Sequence, residues 1–222
     1  MSEDDITIGS IWRKRLAGPF FELRRIERID GAVIRASTHG DADLRTFWAS
    51  EFLDLYEQIS SSPHIKIAGT GHRPEHIVTK RHTIEEVRSK IFAFYKDLFT
   101  WLKPVEVISG FARGFDLWLA WAAIEADVKL IAAIPHSEQA RGWPEDEVDA
   151  WKLARDCASE VHVISPTYWQ RDGDNAMYAR NRWMVDRGDV LTSFWQGTRG
   201  GTAYTNEYAM KCGKTRLVIS SL

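Results

Sequence analysis

The stretch Asp189–Lys214, DVLTSFWQGTRGGTAYTNEYAMKCGK, reads as a buried strand, a glycine-rich turn and the opening of a helix in immediate succession. Val190, Leu191, Phe194 and Trp195 form the short apolar run. Gly197, Gly200 and Gly201 permit a tight backbone, free of side chains, that can approach a phosphate. Thr202 stands where an N-cap residue belongs. A helix that starts there points its first unpaired N–H groups and the positive end of its dipole at the turn, so a phosphate or carboxylate is the expected guest. Gly-Gly-Thr also serves as a bare strand-to-helix turn, and what decides between the two is the rest of the chain.

Before this stretch, strands and helices alternate. Ile65–Ala68 reads as a buried strand, followed by the loop Gly69-Thr70-Gly71-His72-Arg73-Pro74. Thr83 with Glu86 forms a capping box for a helix whose apolar residues Ile84, Val87, Ile91, Phe94, Tyr95 and Leu98 recur at helical spacing. Val105–Ile108 is a second strand, with the loop Ser109-Gly110-Phe111-Ala112-Arg113-Gly114-Phe115-Asp116 and a nearly all-apolar helix from Leu117 to Ala126. Leu130–Ile134 and Val161–Ile164 are further strands around a helix from about Pro144 to Ala158. A loop with Asp172-Gly173-Asp174-Asn175 leads to a helix over Ala176–Asp186, and Arg216–Ile219 ends the series. This alternation predicts an α/β fold, a Rossmann-like doubly wound parallel sheet.

The N-terminal part follows a different pattern. Short apolar runs at Gly9–Trp12, Phe20–Ile29, Val33–Ala36 and Leu44–Trp48 are separated by Ala17-Gly18-Pro19, Asp30-Gly31 and His39-Gly40-Asp41, and Asp-Gly is a hairpin signal. About five short strands with no helix predict a small SH3-like or Tudor-like all-β barrel, either a module for a protein partner or a stabilising cap. Ser60-Ser61-Ser62-Pro63 interrupts the periodicity and reads as a linker, dividing a barrel over 1–59 from a second domain over 64–222.

Composition excludes several classes. At 222 residues and 44% hydrophobic the chain can bury an ordinary globular core, and no apolar run approaches the ~18 residues that span a bilayer. The start, MSEDDITIGS, is acidic and has no apolar core, so a cytoplasmic protein without a signal peptide is expected. Cys157 and Cys212 are the only cysteines, expected as reduced, buried or semi-buried thiols, and no metal-ligand spacing appears. Residues 1–60 carry 8 Lys/Arg against 11 Asp/Glu and the remainder 21 against 20, so neither part is a general nucleic-acid-binding surface.

In doubly wound sheets ligands sit outside the carboxyl ends of the strands, near the point where the strand order reverses. Four loops bring unusual residues there: Thr70, Gly71, His72 and Arg73; Ser109, Gly110, Arg113 and Asp116; Pro135, His136 and Gln139; and Gly200, Gly201 and Thr202. Singly, Arg73 and Arg113 read as solvated loop charges, His136 as a cap and Asp116 as the N-cap of its own helix. Together they read as a site for an anionic, nucleotide-like ligand, with no cofactor or metal required. The phosphate is expected on Gly200-Gly201-Thr202, with Arg113 or Arg180 as its charged partner.

GTGHRP, SGFARGFD, the segment Tyr178-Ala179-Arg180-Asn181-Arg182-Trp183-Met184 and W-x-G-x-x-GGT with Gly213-Lys214 together resemble the SLOG superfamily, close to its YpsA-like branch, over about residues 64–220. The resemblance implies a Rossmann-like domain that binds nucleotides or nucleotide-derived signals, often as a homodimer, and an ADP-ribose-like or cyclic nucleotide ligand. Two relatives offer alternatives. LOG-type phosphoribohydrolases cleave nucleoside 5′-monophosphates and carry MxxRKxxM and PGGxGTxxE; Met177, Arg180 and Met184 match the first, with Asn181 in place of lysine, while Thr205 replaces the glutamate of the second. On this resemblance Arg180 is the candidate catalytic residue. The DNA-processing protein A family shares the SGxAxGxD-like loop and binds single-stranded DNA, a reading the near-neutral charge disfavours. A homodimer is expected through the all-apolar helix around Leu117–Trp121 and through Trp183.

Overall fold

Alternation along the strand Val190–Phe194 assigns its residues to two faces: Val190 and Phe194 join one apolar cluster and Leu191 another. The same period divides the polar residues, with Thr192 bonded to Tyr95 at 2.5 Å on the first face and Ser193 to Asn206 at 3.2 Å on the second. In the computed structural model of the chain, which describes residues 6–15, 22–38, 41–61, 64–79, 82–168 and 175–220, this strand lies inside a six-stranded parallel sheet with helices on both faces.

The parallel sheet comprises β6 (Lys66–Gly71), β7 (Glu106–Ser109), β8 (Leu130–Ile134), β9 (Glu160–Val163), β10 (Val190–Phe194) and β11 (Thr215–Ile219), in the order β11-β10-β6-β7-β8-β9. Helices α2 (Ile84–Leu102), α3 (Phe115–Glu125) and α4 (Glu145–Asp156) cover one face, α5 (Ala176–Arg187) and α6 (Gly201–Lys211) the other. The chain moves outward from β6 to β9, then returns to place β10 on the other side of β6, so the order reverses between β6 and β10. Asp189 pins that pairing: Lys66 N–H donates to its carboxylate at 2.8 Å and its own N–H returns to the Lys66 carbonyl at 2.8 Å. The capping box on α2 forms as expected, Thr83 accepting from Glu86 N–H and Glu86 from Thr83 N–H.

Helix α3 is apolar nearly all round, and most of it is enclosed. Leu117 and Trp118 are buried, as are Leu119 and Ala120, between the sheet, α2 and α4. Trp121 stays half-buried beside Phe92 and Trp118 in a surface cleft, and half-buried Trp183 lies against His162 and under the Arg187 guanidinium. Cys157 and Cys212 are both exposed free thiols, contrary to the expected burial: each caps the C-terminus of a helix, beyond its last buried turn.

The N-terminal part forms a five-stranded antiparallel sheet, β1 (Ile11–Lys14), β2 (Leu23–Asp30), β3 (Val33–Thr38), β4 (Asp41–Trp48) and β5 (Tyr56–Ser60), in the order β4-β3-β2-β1-β5. The Asp30-Gly31 hairpin is present, with Gly31 at φ +59° and Asp30 paired to Val33. The expectation of no helix fails: α1 (Ala49–Leu55) joins β4 to β5, its Phe52 stacked on Tyr56 and set edge-on to Trp12 and Phe47 in the small core. The expected turns at 17–19 and 39–40 and residues 62–63 of the expected linker lie outside the described residues, while Ser60 ends β5. Ile11 and Leu23 of this sheet belong to the larger apolar cluster of the parallel sheet. Arg25 lies over the Trp101 ring, Trp101 donates to Ser37 Oγ at 3.3 Å, and Arg13 donates to the Arg216 carbonyl of β11 at 2.8 Å.

At the N-terminal end of the parallel strands, buried Glu106 accepts two bonds from Arg187, at 2.8 and 3.1 Å, and lies 3.9 Å from Lys66 and from Lys129. The Arg187 side chain thereby ties the end of α5 to β7. Arg187→Ala leaves that carboxylate buried without its hydrogen-bond donors, and a loss of about 2 kcal/mol in urea unfolding is expected. An unchanged unfolding midpoint would show that the two lysines suffice.

Candidate functional site

The residues of the reversal point open a cleft of about 610 Å³ at the carboxyl ends of the strands, between the loops after β6 and β10 and the first turns of α5. Thr70, Gly71, His72, Arg73, Asp116, Arg180, Asn181, Gly200, Gly201 and Thr202 line it. Ser109, Gly110, Arg113 and His136 do not.

Helix α6 forms one wall. Its N-cap is Gly200, at φ +137° and ψ −163°, a conformation that strongly favours glycine, and no side chain caps the helix. Thr202 is therefore the second helical residue and not the expected N-cap; glycine at 200 lets the chain enter the helix two residues earlier. The first intrahelical bond runs from Tyr204 N–H to the Gly200 carbonyl at 3.0 Å, which leaves the N–H groups of Gly201, Thr202 and Ala203 without helical acceptors. Asn181 steadies the turn, donating to the Gly201 carbonyl at 3.5 Å.

The floor is a buried ion pair. Arg180, 5% exposed, donates through Nη1 to the Gly110 carbonyl and, at 3.3 Å, to the Ala133 carbonyl, and through Nε to Asn181 Oδ1 at 2.8 Å. Asp116, 3% exposed, lies 3.9 Å from Arg180 Nη1 and accepts from Gly71 N–H at 3.1 Å. Burial raises the Asp116 carboxyl to about 6, against the pull of Arg180 and of the Ala112 and Gly71 N–H groups. Burial lowers the pKa of Arg180 while Asp116 opposes the shift. Gly110 serves as the socket for this pair: a Cβ there would run into the guanidinium and come within 2.6 Å of Asp116 Oδ2.

His72 organises the opposite lip. Its N–H donates to the Phe194 carbonyl at 3.3 Å, and its Nε2 accepts from Gln196 N–H at 3.0 Å, which puts the proton of the neutral ring on Nδ1. Burial, and then the nearby His76, lower its pKa. Gln196 in turn clasps Val78 through both backbone groups at 2.8 Å, so the two loops that flank the reversal point are stitched together. Arg73 and Arg199 also line the cleft, and their side chains make no hydrogen bond or ion pair among the described residues.

The four residues outside the cleft have other roles. Ser109 Oγ donates to the Asp116 carbonyl at 2.7 Å and shapes the loop. Arg113 turns away to Glu147, through Nε and, at 2.8 Å, Nη2, and to Glu75 at 3.4 Å; the acidic first turn of α4 outcompetes the cleft for it, which removes it as the phosphate's partner. His136 follows β8, two strands from the reversal point, and meets Tyr168 edge-on at 5.6 Å. Sequence reasoning did not single out Arg199 and Tyr178 as site residues, although Tyr178 opens the segment that carries Arg180 and Arg199 directly precedes the Gly200-Gly201-Thr202 turn. Among the described residues, no three His, Cys, Asp or Glu cluster as metal ligands, and no helix is long and apolar enough to cross a membrane.

Because the Asp116 pKa is raised from the ordinary 3.8, the native state keeps a proton that the unfolded chain has lost, so this group's contribution to stability falls as pH rises from about 4 to about 6. Wild type is expected to lose up to about 3 kcal/mol more than Asp116→Asn over that window, read from urea midpoints at each pH. Parallel pH profiles would mean that Asp116 titrates normally.

A curated protein of Bacillus subtilis (strain 168), the uncharacterized SPbeta prophage-derived protein YoqJ, is 25% identical over 145 residues, 60% of this chain and 85% of its own length. Among solved structures, the structural-genomics target TM1055 is 17% identical with a TM-score of 0.46, covering 68% of this chain and 72% of its own. DNA processing protein A from Helicobacter pylori, solved for its single-stranded DNA binding mode, is 18% identical with a TM-score of 0.47, covering 69% of this chain and 64% of its own. The family described as DNA recombination-mediator protein A matches residues 67–221, the whole span from β6 to β11 that builds the parallel sheet and the cleft, and the chain belongs to that family.

Proposed function

We propose that the cleft binds the phosphate of a nucleotide-derived ligand, and that the protein acts as a sensor or binding module and not as a nucleotide N-glycosidase. The observation that carries this reading is the uncapped N-terminus of α6. Its free N–H groups and dipole open into a cleft that also holds Arg73, Arg180 and Arg199. Backbone donors position an anion, and Arg73 and Arg199 neutralise it without first breaking an existing ion pair.

The argument against hydrolysis is geometric. Where LOG-type enzymes carry a glutamate beside the glycines, this chain has Thr205, fully buried, with Oγ1 bonded back to the Gly201 carbonyl at 2.7 Å. Glu207 is two residues further along the helix, a rotation of roughly 200° and an advance of about 3 Å, and it is exposed outside the cleft. Glu138 is exposed and paired with Arg141. Asp116 is the deep carboxylate, and its oxygens already hold the Gly71 and Ala112 N–H groups. A glycosidic bond breaks through an oxocarbenium-like state that needs a carboxylate at the sugar; the remaining acid that lines the cleft, Glu75, is paired with Arg113 at 3.4 Å. Membership in a family described by a DNA function supports single-stranded DNA as a second reading. The net charge of −2 provides no broad phosphate-neutralising surface for a strand.

A thermal-shift screen with AMP, ADP-ribose, NAD and a short single-stranded oligonucleotide separates these readings, because a ligand of the native state raises stability by RT ln(1 + [L]/Kd). AMP, ADP-ribose or NAD is expected to raise the midpoint; a shift with the oligonucleotide alone favours the second reading. Gly201→Leu is expected to weaken nucleotide binding at least tenfold, about 1.4 kcal/mol, with the fold intact, since a Cβ at 201 meets only Asn181 Nδ2, at 3.8 Å. Unchanged affinity in that variant moves the phosphate elsewhere. Incubation with AMP, GMP, CMP and UMP is expected to release no free base above background; robust turnover that disappears in Arg180→Ala would replace the binding reading with hydrolysis.

A further inference from the structure

Tyr178 stands in the first turn of α5 and lines the cleft. Its backbone is fixed by the Asn175 cap, which accepts from its N–H at 3.0 Å, and its hydroxyl makes no hydrogen bond among the described residues. Its ring lies 4.4 Å from that of Tyr204, inclined by 39°. Tyr204 is held in turn: Arg182 donates to its hydroxyl at 2.7 Å, and Tyr208 continues the row at 6.4 Å, nearly parallel, with its own hydroxyl on Asp186 at 2.9 Å. Tyr178 is thus the cleft-side end of a row of three rings clamped between α5 and α6.

The row is tied to the anion site by the backbone. Tyr204 closes the first turn of α6 onto the Gly200 carbonyl, so the ring that supports Tyr178 belongs to the same turn whose free N–H groups face the cleft. The Tyr178 ring and the free N–H groups of that turn therefore line one cleft. A nucleotide, whose sugar joins a phosphate to a base, presents an anion and an aromatic face to such a pair of surfaces. The ring is half-buried at the cleft wall, with a hydroxyl that has no hydrogen-bond partner among the described residues, so it does more than fill the α5–α6 groove.

We propose that Tyr178 is the stacking face for the nucleobase of the ligand, making the ligand class a nucleobase-bearing phosphate and not a phosphate or sugar phosphate alone. This rests on the anion site at α6 proposed above. Stacking on one aromatic face tolerates any base, so discrimination is expected to follow base area, purine over pyrimidine, and not hydrogen-bond pattern.

The test is calorimetric titration of AMP, UMP and ribose 5-phosphate into wild type, Tyr178→Ala, Tyr178→Leu and Tyr178→Phe, with thermal melts to establish that each variant is folded. In wild type AMP is expected to bind at least tenfold more tightly than ribose 5-phosphate, with UMP between them. Tyr178→Ala and Tyr178→Leu are expected to bring AMP down to the ribose 5-phosphate level while leaving ribose 5-phosphate itself unchanged, and Tyr178→Phe is expected to retain the difference. An AMP to ribose 5-phosphate ratio near one in wild type, or one unchanged in Tyr178→Ala, overturns the stacking role and leaves the anion site standing. Failure of all three ligands to bind wild type overturns both.

Discussion

Two buried side chains, Arg180 and Asp116, hold the carboxyl ends of the parallel strands in register with the helices around them. Arg180 reaches from α5 to the carbonyls after β7 and in β8, while Asp116 reaches from α3 to the N–H of Gly71 at the end of β6. Neither is an efficient source of stability, since taking both charges out of water costs about what their attraction returns. Their contribution is placement. With three strand ends and two helix starts tied to one ion pair, the loops of the cleft have few alternative arrangements. Gly110 is the residue that makes room for it, which explains a glycine between Ser109 and Phe111.

The fold was largely legible because its signals are local. Strand and helix periods, the Thr83 capping box and the Gly200-Gly201 turn each determine a conformation from neighbouring residues alone. What was illegible depended on strand order and on competition between charges. Pairing β10 with β6 gathers the cleft from the first and fifth strands of the sheet and leaves the loop after β8, with His136, outside it. Arg113 carries the same motif value as Arg73, yet Glu147 in the first turn of α4 and Glu75 claim it. The helix α1 escaped notice because seven residues between two strands leave barely two turns in which a period can show.

The N-terminal sheet is bound to the rest by several weak links instead of one strong one: Ile11 and Leu23 within the larger core, Arg25 over Trp101, Arg13 on the outer carbonyl of β11. The last of these occupies a backbone acceptor on an edge strand, where unpaired groups would otherwise be open to another chain. A stabilising cap and a partner-binding module are thus compatible roles for this sheet, because its contacts to the parallel sheet leave Leu44 and Trp48 exposed on its far strand.

The position of β10 also has a consequence in time. β6 is the first parallel strand to be synthesised, but the strand that pairs with one of its two sides, β10, comes more than a hundred residues later. Until then a nascent chain carries the central strand of its sheet with one edge unsatisfied, and the α5 and α6 walls of the cleft do not yet exist. Late closure of this kind slows folding and exposes a sticky edge to other chains. On the ribosome the cleft is therefore completed late, with only β11 still to follow α6, and a chain cut short before α6 lacks one of its walls.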